Sequence, residues 1–138
     1  MLKKSIAIVG ILIILIMVSC SSGGAYGELR TVFSQQIGAT EKLISDLENA
    51  NDAKKVATAY KSYNDVMEKV MPRYKEIIEK YPDMEDEEVP ADLAAQADRL
   101  EEVSNKLGEL SEKSAQYNQD PEVAKEIQRT MEIMMSWM

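Results

Sequence analysis

Between residues 56 and 81 the apolar positions keep a strict heptad: Val56, Tyr60, Tyr63, Met67, Val70, Tyr74, Ile77 and Tyr81 step alternately by four and three residues. A repeat of this kind is the seam of a helix that packs along its whole length against other helices. A strand, with its period of two, would turn many of these side chains into water. The stretch therefore constrains the chain to an all-α bundle. Asn51 or Asp52 stands where an N-cap belongs and Tyr81-Pro82 ends the element, so the pattern predicts a helix over 53–81. Pro72 falls inside it and removes the donor that would bond the Glu68 carbonyl. The seam continues in register across the proline, which predicts a kink near 68–72 rather than two helices.

Three more helices follow from the same period. Leu29, Phe33, Ile37, Thr40, Ile44 and Leu47 predict a first helix over 26–49. Leu93, Leu100, Val103, Leu107 and Leu110 predict a third over 91–117, opened by Pro90 or Ala91. Asp120 suits an N-cap and Pro121 a first helical position, and they open a fourth helix. Its expected apolar face is Ala124, Ile127, Met131, Met134 and Met138. Brief connections predict an antiparallel up-down four-helix bundle, the alternative being a three-helix bundle with the last helix undocked. The second helix carries a net +3 against −2 on the first and −3 on the third, which predicts that it lies between them. Acid-before-base pairs at i, i+4 (Asp65 with Lys69, Glu76 with Lys80, Glu102 with Lys106, Glu109 with Lys113) would each add ~0.2–0.5 kcal/mol.

Composition narrows the chemistry. The 138 residues hold no His and one Cys, with 24 acidic against 16 basic side chains. Without His there is no Ser-His-Asp or Cys-His nucleophile system and no histidine metal site. One Cys makes neither an intramolecular disulfide nor a Cys₄ zinc site. A net charge of −8 disfavours generic nucleic-acid binding. There is no Gly-rich phosphate loop and no nucleophile elbow, so neither an enzyme nor a cofactor is expected.

The N-terminus reads as an address. Lys3 and Lys4 precede an uncharged, Ile/Leu/Val-dominated run from Ser5 to Val18, shorter than the ~20 residues of a spanning helix. Met17-Val18-Ser19-Cys20 and Ser21-Ser22 follow. This resembles the lipobox of bacterial lipoproteins, although that family prefers Leu where this chain has Met17. The resemblance covers residues 1–22 only. It implies a signal peptide over 1–19 cleaved before Cys20, and acyl chains such as palmitate on Cys20. It implies a membrane attachment through that residue, in the cell envelope. Ser21 after the lipidated Cys implies the outer membrane in a Gram-negative cell. Residues 20–25 then form a tether and 26–138 the bundle domain. Loss of Lys3 and Lys4 takes the net charge from −8 to −10. Beyond the leader, the chain resembles small helical lipoproteins in general character only. It lacks the basic C-terminal residue of the lipoprotein family that links the outer membrane to peptidoglycan.

Three clusters are candidate sites. Met131, Met134 and Met138 form either a packing or partner surface or a soft-metal site, while Met135 and Trp137 are expected to point away from that face as a second apolar patch. Tyr60, Tyr63, Tyr74 and Tyr81 either edge the core or line a groove. The acidic run from Asp83 to Glu88 reads as a solvated linker, without the spacing or Gly of a calcium loop. The leading expectation is a non-enzymatic, membrane-anchored module that contacts a protein partner through a bundle face or its methionine-rich last helix. The alternative is a small-ligand or soft-metal binding module using the tyrosines or methionines.

Overall fold

Local signals position the helices. Asp52 caps the second by accepting from the Lys55 amide at 2.8 Å. Asp120 caps the last by accepting from the Glu122 and Val123 amides, with Pro121 at its first turn. The computed structural model describes residues 24–82 and 88–136. Cys20 and the leader before it, Asp83 to Glu87 of the acidic run, and Trp137 and Met138 lie outside the described residues. The described residues form helices α1 (Gly24–Asn49), α2 (Ala53–Lys80), α3 (Ala91–Ser114) and α4 (Pro121–Met135). A 3₁₀ turn, Ala115–Tyr117, occupies what the sequence predicts as the last turn of α3. α1 begins at Gly24, inside the span read as tether. α2 is one helix, with Pro72 inside it. No helix among the described residues is long and apolar enough to cross a membrane.

The four helices form a bundle in which α1 packs on α2, α3 on α1, and α4 on α2. Cross-helix contacts set the directions. Arg30 meets Asp92, Arg99 meets Glu41 and Lys106 meets Glu48, so α3 runs parallel to α1. Asn64 meets Glu126 and Glu68 meets Arg129, so α4 runs parallel to α2. Successive helices thus alternate up and down, while the spatial order is α3-α1-α2-α4. The expectation that basic α2 separates two acidic helices is corrected here. Specific cross pairs and the apolar strip Ile44, Val103 and Leu110 seat α3 on α1, and net helix charge does not decide the neighbours. None of the four anticipated i, i+4 pairs forms among the described residues. Their charges reach other partners instead: Asp65 to Lys61 and Arg129, Lys80 to Glu28, Lys106 to Glu48 and Glu102 to Arg99.

The main core lies between α1, α2 and α4 around Leu43, Leu47, Val56, Tyr63, Met67 and Val123. At the other end Leu29, Val32, Val70, Ile77 and Leu93 are packed by Tyr26, Phe33, Tyr74 and Tyr81. Phe33 stacks on Tyr74 there, centroids 6.3 Å apart. Leu43, 1% exposed, and Gly38, where an added Cβ meets nothing within 4 Å, make opposite predictions. Leu43→Ala is expected to lose about 2–5 kcal/mol of folding stability. Gly38→Ala is expected to gain about 0.5–1 kcal/mol by lowering the entropy of the unfolded chain in a helix interior. Urea denaturation of the two variants measures both.

Candidate functional site

α4 is held to α2 by a polar network. Asn64, with 0% of its surface exposed, donates through Nδ2 to the Glu126 carbonyl at 2.9 Å and to Glu126 Oε2 at 3.0 Å. Thr130 Oγ1 donates to Asn64 Oδ1 at 2.7 Å. Arg129 forks between Asp65 at 2.9 Å and Glu68 at 2.7 Å and reaches Glu126 at 3.3 Å. The buried carboxylate and amide are therefore satisfied together, which burial of such groups requires. Hydrogen bonds from Lys61 and then Arg129 hold the Asp65 carboxyl below its ordinary range. Arg129 does the same to Glu68, and the Arg129 guanidinium is raised in turn.

This network sets the rotation of α4. The face turned to α2 is Val123, Glu126, Thr130 and Ile133, with Val123 fully buried. Of the described face expected to be core, Ile127 is half-buried against the main core and the rest is not. Ala124 is exposed, Met131 is 59% exposed and Met134 40%. The physical reason is that α4 packs chiefly on α2 and α3 does not cover its methionines.

Between α3 and α4 runs a groove of about 570 Å³. Its floor is Tyr60 and Tyr63 with Gln36 and Thr40. One wall is Ser104, Leu107, Gly108 and Ser111 of α3, and the other is Ile127, Thr130, Met131, Met134 and Met135 of α4. No charged side chain lines it, whereas each of the other surface depressions described is lined by charged groups such as Glu48, Arg73, Arg99 or Lys54. Burial raises the pKa of both floor tyrosines. Ser114 beside Tyr60 and Thr40 beside Tyr63 offset part of that rise, and both tyrosines are neutral over the physiological range.

Two of the sequence clusters thus meet in one place. Tyr60 and Tyr63 join Met131 and Met134, and Met135 stands beside them at 66% exposure. Tyr74 and Tyr81 do not join them. They pack in the cluster at the far end of α2, because the seam runs the length of the helix while the groove spans only part of it. Gly108 and the α3 serines were not singled out from the sequence. A small residue opposite a bulky methionine is the signal that could have found them. The chain matches no family model, no curated protein and no solved structure.

With no His in the chain, nothing in the bundle has an ordinary pKa between about 5 and 8, and stability is expected to be flat there. Acid acts through the clamp on α4 and also through Asp92, which its hydrogen bond with Arg30 holds below the ordinary range where α3 meets α1. Asp65 and Glu68 are depressed in the folded state, so their contribution is present above the ordinary carboxylate values of 3.8 and 4.5 and is lost as pH falls through the depressed ones. Amide hydrogen exchange on acidification below about pH 4 is expected to show α4 losing protection before α1. Asn64→Ala, which leaves Glu126 short of a donor, is expected to cost about 1–3 kcal/mol. It should unprotect α4 selectively already at neutral pH.

Proposed function

We propose that the protein is a non-enzymatic interaction module of a bacterial cell envelope, anchored to the membrane by acyl chains on Cys20, which engages a partner in the groove between α3 and α4. The observation that carries this reading is the apolar face of α4 left open to water at Met131, Met134 and Met135. An exposed contiguous apolar patch rimmed by polar residues is the usual mark of an interaction surface. Methionine suits such a surface because its unbranched thioether adapts to the shape of what it meets. The leader residues up to Ser22 support the anchor, and Ser21 supports the outer membrane as its site. Several acyl chains on one residue give stable attachment where a single chain does not. The groove also supports a second reading, a site for a small apolar ligand, because about 570 Å³ lies within the range of ordinary ligand pockets. Soft-metal binding by Met131 and Met134 belongs to that second reading, since the two stand on one wall a turn apart.

Two measurements test the reading. Cys20→Ser is expected to release the full chain from membranes and to abolish incorporation of labelled palmitate. A variant that remains membrane-bound and unprocessed contradicts the anchor. A photo-crosslinker in place of Met131 is expected to form a discrete adduct in cells that a crosslinker at exposed Lys54, on another face, does not form. Adduct formation equal at the two positions, or at neither, contradicts the assignment of the groove.

A further inference from the structure

The groove is uncharged inside, but the outer edge of its α3 wall is acidic. On α3 the wall residues Ser104 and Gly108 share a face with Glu101, three residues before the first, and Glu112, four residues after the second. Both glutamates are exposed, and no ion pair engages either of them among the described residues. The basic residues of α3 that could have neutralised this edge are turned the other way. Arg99 is held by Glu41 and Lys106 by Glu48 at 3.1 Å, both on α1, and Lys113 lines a separate depression with Leu47 and Glu48. The dimensions are those of a helix slot. Seven residue steps along α3 from Ser104 to Ser111 and eight along α4 from Ile127 to Met135 correspond to roughly 10–12 Å, or about two helical turns. The groove lies where α3 and α4, adjacent in the chain, do not pack closely on each other.

Resting on the interaction reading above, we infer that the occupant is an amphipathic helix of a partner protein, with basic residues flanking its apolar face. Two to three apolar anchors spaced i, i+3 or i+4, and i+7 would meet the methionines and the tyrosine floor. Lysines or arginines beside them would meet Glu101 and Glu112. Opposite charge at the rim chiefly selects the partner and speeds encounter, while the apolar floor supplies most of the affinity. A bare acyl chain could fill the floor but would leave the acidic edge without a role. The net charge of −8 on the whole chain acts in the same direction as the rim.

The test uses the purified full chain in detergent and three probes. These are a synthetic leucine/lysine helix of about 14 residues with period 3.6, the same helix with glutamate in place of lysine, and palmitate. The leucine/lysine helix is expected to bind at least about ten-fold more tightly than the leucine/glutamate helix. Gly108→Trp, built where a Cβ meets nothing within 4 Å, is expected to fill the groove and weaken binding by about ten-fold or more. Met134→Glu, at an exposed position, provides the same block should the tryptophan disturb α3. Glu101→Lys with Glu112→Lys is expected to weaken the leucine/lysine helix and to flatten its salt dependence. Equal binding of the two helices overturns the inference. So does binding of palmitate in place of either helix, or leucine/lysine binding that the groove variants leave unchanged. Failure of the leucine/lysine helix while Met131 still crosslinks in cells overturns the basic-helix assignment alone. Loss of that crosslink as well overturns the interaction reading beneath it.

Discussion

The structure turns on one buried amide. Asn64 lies inside the face of α2 that receives α4, and it can be satisfied there only by the Glu126 carbonyl, the Glu126 carboxylate and the Thr130 hydroxyl. Apolar packing by Val123 and Ile133 would hold a helix on α2 in several rotations. The Asn64 hydrogen bonds and the Arg129 fork allow one, because any other strands a buried polar group. A single polar residue in a helix seam is a known means of fixing register at some cost in stability. Here the register it fixes turns Met131 and Met134 away from the core.

The groove is the consequence of that rotation combined with the seating of α3. α3 is drawn to α1 by an apolar strip and by three cross-helix ion pairs, and so it stands beyond α1 rather than against α4. The last two helices face each other across the bundle without closing it. The tyrosine floor beneath is buried by the helices that flank it. The methionine wall above it is flexible. A buried floor beneath an adaptable wall is what the proposed recognition of a complementary apolar surface rests on.

Much of this was legible in the sequence, and the rest was lost for physical reasons. The heptad from Val56 to Ile77 and the caps at Asp52 and Asp120 are local signals, and the structure carries both. The spatial order of the helices is not local. Net charges of +3, −2 and −3 misplaced α3, because a few specific contacts outweigh the mean charge of a helix. The face of α4 is lost in part for a related reason, since Ile127 packs on the core while Met131 and Met134 do not. Ile127, Met131 and Met134 are more apolar than Val123, Glu126 and Thr130, and hydrophobic period alone favours the first set. Only the cross-helix partner Asn64, 62 residues from Glu126, reveals that the more polar face is the buried one. The tyrosines were half right: their spacing shows a shared seam but not where the covering helices end.

The central claim is that α4 turns its methionines to water while the methionines of α2 are sealed. Chain-wide hydrogen peroxide oxidation of the folded protein, read residue by residue by mass spectrometry, tests it directly, since thioether oxidation follows exposure. Met131, Met134 and Met135 are expected to oxidise at least about ten-fold faster than Met67 and Met71, which are 1% and 4% exposed. Oxidation of Met131 and Met134 as slow as that of Met67 would mean that α3 and α4 close over them, and would contradict the account.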